Sequence, residues 1–227
     1  LVLIQLGGLG IMTITTLLLF QIGGEATVRQ RAVIAETLGI KSAQGLRQLA
    51  LMVFVVVLSA ELIGFLLLTA ATWGSREPLE VIWRAAFHSV SAFCNAGFSL
   101  GDDSLKAYST DIPVNLIICG LVIVGGLGFP VLFDITSRLW NRQSLWDRLH
   151  MHSKLMVLGT AALLAFGAVS FWVFESDGVL AGEPLSNRIL FGLFHTTTCR
   201  TAGFHTVEYG SLSSATLFLT ILLMAIG

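Results

Sequence analysis

The sequence predicts an all-α membrane protein made of repeated units, each with a membrane span, a re-entrant half-helix and a second span. Three observations predict this fold class: long uncharged apolar runs, shorter apolar segments between them, and an internal repeat of short motifs. Of the 227 residues, 55% are hydrophobic and 12% are charged, whereas soluble domains have about 25% charged residues. This composition excludes a disordered chain and a nucleic-acid-binding protein, and it argues against a soluble enzyme.

Membrane spans are predicted wherever about 20 consecutive residues are mostly apolar. Residues 48–75 contain a single charge, Glu61, and several other runs contain none. These uncharged runs are residues 1–24, 112–133, 155–174 and 209–227. We therefore expect three complete spans and a partial span at each end, as in a fragment of a longer protein.

Charge asymmetry between the connecting segments predicts the orientation. Segments 25–47 and 134–154 together hold eight basic and four acidic residues, whereas segments 74–111 and 175–208 hold five basic and nine acidic residues. Because basic residues are concentrated in the cytosolic loops of membrane proteins, the first pair is predicted to be cytosolic and the second pair external. The resulting multi-pass topology alternates consistently along the chain.

Both external segments are predicted to re-enter the membrane. Arg84 is the only charge between Val81 and Gly101, and Arg200 is the only one between residues 189 and 207. Such segments are too apolar for solvated loops and too short to cross the membrane. Since irregular backbone at membrane depth must be buried in protein or line a water-filled path, we expect a half-helix that enters, turns and leaves.

The two half-helix segments match each other at a constant offset of 106 positions. Glu77-Pro78-Leu79 recurs as Glu183-Pro184-Leu185, and Ala96-Gly97-Phe98 recurs as Ala202-Gly203-Phe204. A second motif, Gly-Gly-Leu-Gly, occurs at residues 7–10 and again at residues 125–128. Internal repeats of this kind are common in transport proteins.

Residue types in the repeat predict its physical chemistry. Proline suits the first position of a helix, and a helix from Pro78 to about Ser91 would be roughly 20 Å long. Its C-terminal end would point into the membrane centre, where its partial negative charge favours a cation. The glycines that follow permit a backbone conformation that presents carbonyl oxygens to an ion.

The segments Ser91–Phe98 and Thr198–Phe204 resemble the pore motifs of the Trk/Ktr/HKT superfamily of K⁺ transporters, and most of all its KtrB/TrkH group of bacterial membrane subunits. Gln5–Gly10 is similar to the inner helix of such a repeat. The resemblance implies four repeats around one central pore, with pseudo-four-fold symmetry. This chain would then hold the first repeat's inner helix (1–28), the second repeat (48–140) and part of the third (154–227).

The resemblance also implies which residues bind the ion. Backbone carbonyls of a selectivity filter would hold K⁺, with Phe98 facing the packing shell, and Gly227 would begin an intramembrane gating loop. Cys94 departs from the asparagine of many relatives, which need not alter selectivity if only carbonyls coordinate. The implied filter residues are Cys94, Asn95, Ala96, Gly97, Cys199, Arg200, Thr201, Ala202 and Gly203.

By the same resemblance, the chain is a pore-forming subunit of a bacterial K⁺ uptake system and not an enzyme. K⁺ is the implied transported ion and Na⁺ a second candidate, with no organic cofactor. The implied partners are a second copy of the subunit, the lipid bilayer of the inner cell membrane, and a cytosolic ring of nucleotide-binding RCK subunits that gates the pore. The Trp-rich segment 138–152 could receive this ring or lie along the membrane interface.

Alternative interpretations remain at this stage. One alternative is a carrier of another solute, and another is a membrane enzyme with re-entrant loops. His88 with Cys94 and His195 with Cys199 could form nucleophilic pairs or a metal site. Neither pair has a nearby orienting acid or a recognised metal-ligand spacing. Glu61 could form an ion pair with Arg84 or Arg200, or take part in transport, and Arg200 could fix its own loop or repel cations.

Overall fold

The computed structural model describes residues 1–8, 43–140 and 149–226. Within these ranges the chain is helical and contains no β-strand, so the all-α prediction is confirmed. Residues 2–8 form helix α1, and two 3₁₀ turns, Lys106–Tyr108 and Tyr209–Ser211, lie in the connections. The other helices are α2 (Ala43–Thr72), α3 (Pro78–Phe93), α4 (Ile112–Gly126), α5 (Phe129–Trp140), α6 (Met151–Phe174), α7 (Leu185–Thr198) and α8 (Ser214–Ile226).

Two of the described helices are long and apolar enough to cross a membrane. They are the Phe54–Thr72 part of α2, with 19 residues, and α6, with 24 residues. At ~1.5 Å per residue these lengths match a hydrocarbon core of about 30 Å. Their outer faces expose side chains such as Val55, Leu62 and Phe166, which is typical of helices that face lipid.

The third expected span, residues 112–133, is not one straight helix. It divides into α4 and α5, whose axes differ in direction by 105°. Gly128 has a φ of +81°, and Pro130 has no N–H for a helical hydrogen bond, so the helix cannot continue through residues 127–130. The bent pair together is still apolar enough to be one broken span, so the prediction of a third span holds only if α4 and α5 cross the membrane together. α4 begins at a good cap, because the side chain of Asp111 accepts a hydrogen bond from Val114 N at 3.1 Å.

The two predicted half-helices are present as α3 and α7. Pro78 is the first residue of α3, as predicted, whereas Pro184 is the N-cap of α7, one position earlier than expected. α3 has 16 residues and α7 has 14, which correspond to roughly 24 and 21 Å. Each is shorter than the membrane core and ends in an irregular turn.

Two groups of helices pack side by side. α2, α3 and α4 contact one another, α6 contacts both α7 and α8, and α4 joins the groups by packing against α7. The main buried apolar cluster includes Phe93 and Ile118 from the first group and Phe194 and Phe204 from the second. The turns that follow α3 and α7 are thereby brought together at the junction.

Candidate functional site

The turns that follow α3 and α7 have matching backbone conformations. Asn95 and Thr201 have φ values of +50° and +66°, and the following glycines, Gly97 and Gly203, have φ values of +69° and +77°. Such left-handed conformations are readily adopted by glycine and rarely by residues with a Cβ. The repeated sequence motif therefore also has a repeated backbone conformation.

Gly97 and Gly203 lie against each other. A Cβ atom at Gly97 would overlap the carbonyl oxygen of Ala202 and lie 2.9 Å from the Cα of Gly203. A Cβ atom at Gly203 would lie 3.4 Å from the Cα of Gly97, which is ordinary contact. The two turns thus meet backbone to backbone, and the absence of a side chain matters most at Gly97.

Hydrogen bonds hold each turn from its own half-helix. Ala96 N donates to Ser91 O at 2.9 Å, and Ser91 Oγ donates to Phe98 O at 2.7 Å. In the second turn, Ala202 N donates to Thr198 O at 3.1 Å. Within the described part of the chain, no hydrogen bond is donated to the carbonyl oxygens of residues 95–97 or 201–203.

Most side chains in the predicted filter segments are wholly or partly buried, whereas Thr201 is exposed and its hydroxyl donates to Arg200 O at 2.6 Å. Cys199 and Ala202 are fully buried. The Asn95 amide, oriented so that both ends are satisfied, donates to Ala92 O and Val122 O and accepts from Gly126 N, each at 3.2 Å. Its side chain therefore anchors the turn to α4.

The Gly-Gly-Leu-Gly motifs pack directly behind the first turn. A Cβ atom at Gly125 would overlap the Phe93 carbonyl oxygen and lie 2.9 Å from its carbon, and one at Gly8 would lie 2.6 Å from Cys94 Sγ. The sequence showed these motifs as repeats but did not show their contacts. Their glycines allow α1 and α4 to approach the end of α3 closely.

The connections beyond the turns are also joined. Leu105 N donates to His205 O at 3.1 Å, and His205 N donates to Ser104 Oγ at 3.2 Å. Lys106 Nζ contacts Glu208 Oε2 at 3.2 Å on the exposed side. The two segments that follow the turns are therefore connected to each other by backbone hydrogen bonds as well as by an ion pair.

Among the described residues, neither His88 nor His195 forms a side-chain hydrogen bond with a cysteine side chain. His88 Nε2 bonds Ser99 Oγ at 3.2 Å, and His195 Nε2 bonds Thr220 Oγ1 at 2.9 Å. The described residues contain no group of three His, Cys, Asp or Glu side chains that could hold a metal ion.

Glu61 has a different environment from the one expected. Arg84 contacts Glu80 at 2.8 Å on its own helix, so the suggested ion pair between Arg84 and Glu61 is wrong. The Arg84 hydrogen bond lowers the pKa of Glu80. Glu61 is 6% exposed and accepts hydrogen bonds from Gln5 Nε2 at 3.1 Å and from Cys94 Sγ at 3.9 Å.

A buried acid that sequence reasoning missed, Glu175, lies at the end of α6. It is 1% exposed and accepts hydrogen bonds from Ser213 N at 2.8 Å and Thr216 Oγ1 at 2.6 Å. Burial raises the pKa of Glu175, but these hydrogen bonds, with a further one from Val179 N, outweigh burial and leave its pKa lowered. The carboxylate therefore caps α8 from another helix. This role became visible only from the folded structure, which brings Glu175 next to Ser213 and Thr216.

The remaining predictions have mixed outcomes. Phe98, which was expected to face the packing shell, is 60% exposed, whereas its counterpart Phe204 is fully buried among the described residues. Arg200 is half-buried within the second turn. Gly227 and residues 141–148, which include most of the Trp-rich segment, lie outside the described residues.

Comparison with known proteins gives consistent matches along the chain. The family model TrkH, described as a cation transport protein, matches residues 1–227. The Ktr system potassium uptake protein B of Vibrio alginolyticus is 37% identical over 99% of this chain, and that of Bacillus subtilis is 36% identical over 99%. The potassium/sodium uptake protein NtpJ of Enterococcus hirae is 34% identical over 99%. The three are named as uptake proteins and not as enzymes, in agreement with the prediction.

The chain spans about half the length of these relatives: 49% of the Vibrio protein, 50% of the Bacillus protein and 49% of the Enterococcus protein.

Proposed function

Because the chain belongs to the TrkH family of cation transport proteins, we propose that it is part of the pore-forming membrane subunit of a bacterial K⁺ uptake system. In this proposal K⁺ passes through a filter lined by the carbonyls of residues 94–97 and 199–203. The observation that carries the proposal is the meeting of two turns with left-handed glycines, Gly97 and Gly203, at the ends of two half-helices.

Electrostatics support a cation at this place. The C-terminal end of a helix carries a partial negative charge, and α3 and α7 both end at the turns. Backbone carbonyls can replace the hydration shell of K⁺, and those of residues 95–97 and 201–203 accept no hydrogen bond within the described part of the chain. Two fixed partial charges and two sets of carbonyls therefore favour a dehydrated cation.

The wider architecture is also a proposal. The constant offset between the two half-helix segments supports a division into an inner helix (1–28), one complete repeat (48–140) and part of another (154–227). Two filter strands cannot surround an ion, so two further strands would complete a pseudo-four-fold pore. The subunit would cross the inner cell membrane several times, with Gly227 next to the gate.

Partners follow from the relatives by analogy. Two relatives are named as parts of a Ktr system, which supports a multi-component system. In our proposal its components are a homodimer of the membrane subunit and a cytosolic RCK ring. The relative named for potassium and sodium uptake supports Na⁺ as a second ion. Segment 138–152, with Trp140 and Trp146, is our candidate for contact with the ring, because aromatic and arginine side chains are enriched at interfaces.

Growth rescue tests this function. The full-length protein that contains this chain is expressed in a bacterium without its own K⁺ uptake systems, at low K⁺ with and without Na⁺, and K⁺ uptake is measured. We expect growth and saturable K⁺ uptake, and a dependence on Na⁺ would reveal coupling. Protein that is present in the membrane but supports neither growth nor K⁺ uptake in either medium would contradict the proposal.

A further inference from the structure

We propose that Glu61 is a positioning residue for the filter: its buried carboxyl group holds the first turn from behind, through Cys94, and so sets the discrimination between K⁺ and Na⁺ without touching the ion. This inference rests on the proposed function. It concerns a contact among three helices that are distant in sequence, α1, α2 and the end of α3.

The position of Glu61 requires an explanation. An ionisable side chain in the middle of a membrane span is unfavourable unless it has partners, and such residues usually have a functional role. Glu61 lies within the Phe54–Thr72 span and is 6% exposed. Its side chain faces the protein interior, where its described partners are Gln5 and Cys94.

The carboxyl group connects α1 to the filter turn. Gln5 Nε2 donates to one carboxyl oxygen at 3.1 Å, and Cys94 Sγ donates to the other at 3.9 Å. Cys94 is the first residue after α3 and the first of the proposed filter residues. The Gln5 Oε1 atom is buried and accepts no hydrogen bond among the described residues, so the bond to Glu61 is the described polar contact that orients this amide.

The contact is held on both sides. Ser89 Oγ donates to the Glu61 carbonyl at 2.6 Å, which ties α2 to α3 at the same level. Gly8 packs against the Cys94 thiol so closely that a Cβ atom there would lie 2.6 Å from Sγ. The thiol is therefore enclosed between Gly8 and Glu61. A movement of Cys94 away from Glu61 would require α1 to shift as well.

The consequence follows from the geometry of the turn. The carbonyls of Cys94 and the next residues are proposed to contact the ion, and a small displacement changes the cavity that distinguishes K⁺ from Na⁺. A shell of packed and hydrogen-bonded groups is what holds such a site in place. Removing the anchor should therefore alter ion discrimination more than the maximal rate of uptake or the amount of protein.

The test compares variants of the full-length protein in the K⁺-uptake-deficient bacterium. Glu61→Leu removes the acceptor and Cys94→Ala removes the donor, whereas Glu61→Gln and Cys94→Ser each keep a hydrogen-bonding group. We expect about three- to tenfold weaker K⁺/Na⁺ discrimination in the first two, the size expected for the loss of one or two modest hydrogen bonds. The two conservative variants should recover most of it. The double variant Glu61→Leu with Cys94→Ala should be no worse than either single variant.

Glu175→Gln is the matched control, because Glu175 is a buried acid that caps α8 and does not contact the filter turns. It should lower the amount of folded protein and leave discrimination unchanged. Wild-type discrimination in Cys94→Ala, or additive losses in the double variant, would overturn the inference even if Glu61→Leu fails to fold. If Gly97 variants change K⁺/Na⁺ discrimination while the Glu61 and Cys94 variants do not, the positioning role of Glu61 is contradicted and the proposed function is not. Absence of K⁺ uptake by the wild type would instead contradict the proposed function.

Discussion

Replacement of the two turn glycines by alanine should have unequal effects. Both positions have φ values near +70°, where a residue with a Cβ is strained by about 1–2 kcal/mol. At Gly203 this strain is the main cost, because the nearest atom to a new Cβ is 3.4 Å away. At Gly97 the Cβ would also overlap the Ala202 carbonyl oxygen, so the opposing turn must move as well.

The strain can be converted into an expected change in K⁺ affinity. A penalty of about 1–2 kcal/mol on the ion-binding conformation reduces its population by about 5- to 30-fold, and the apparent affinity falls by the same factor. We expect a reduction of this size for Gly203→Ala and a larger one for Gly97→Ala. Discrimination against Na⁺ should fall in the same order, because the displaced Ala202 carbonyl belongs to the proposed filter.

The assay is K⁺ uptake at a series of K⁺ concentrations, with and without competing Na⁺, in the K⁺-uptake-deficient bacterium, with protein amount measured in parallel. Gly74→Ala is the matched control, since Gly74 has a φ of +84° and a Cβ atom there would have no neighbouring atom within 4 Å. It carries the same backbone strain in the connection between α2 and α3. Wild-type affinity in Gly97→Ala, a larger effect at Gly203 than at Gly97, or an equal effect at Gly74 would refute the reasoning.

Three further outcomes are expected. Glu175→Gln should lower the unfolding free energy of the detergent-solubilised protein by about 1–3 kcal/mol at neutral pH. The folded-state pKa of Glu175 is lowered, so the carboxylate stabilises the fold only while it is ionised. The difference in melting temperature between wild type and variant should therefore disappear as the pH falls below the ordinary glutamate range. Gly125→Ala should lower the unfolding free energy by about 1–3 kcal/mol, because the new methyl group overpacks against Phe93. Gly120→Ala, whose Cβ would have no atom within 4 Å, should melt at the wild-type temperature. If Gly125→Ala also melts at the wild-type temperature, the close approach of α4 to Phe93 is contradicted. An impermeant thiol reagent applied to intact cells should label the variant Asp177→Cys more strongly than the unmutated protein. It should label Ser144→Cys no more than the unmutated protein. The opposite pattern would reverse the predicted orientation.

Local features of the sequence were sufficient for the class of fold and for the location of the candidate site. Long apolar runs predict membrane helices because each residue contributes its own transfer free energy. The half-helices were predictable because proline at a helix start and glycine in a turn act through their own backbone dihedral angles. The left-handed φ values at Gly97 and Gly203 agree with this interpretation. All of these signals are carried within about 20 neighbouring residues.

The bend between α4 and α5 lay at the edge of what local sequence could predict. Gly128 and Pro130 are visible in the sequence, yet hydropathy alone treated residues 112–133 as one uncharged run. Hydropathy records only the cost of transfer from water, whereas a helix also requires an N–H at every position of its hydrogen-bond ladder. Attention to Pro130 in the sequence could have located this break.

What the sequence determined by itself is therefore the membrane class, the pairing of two half-helix segments and the glycines at their turns. The membrane class and the glycine turns depend on residues close together along the chain, and the pairing was visible as identical motifs 106 positions apart. The tertiary structure alone decided which partners meet. The contact of Glu61 with Gln5 and Cys94 joins residues 56 and 33 positions apart, and Glu175 caps a helix 38 positions away. Such contacts are set by how helices pack around shared buried surfaces. A charged side chain in a span indicates that a partner is needed, but only the packing determines which partner it contacts.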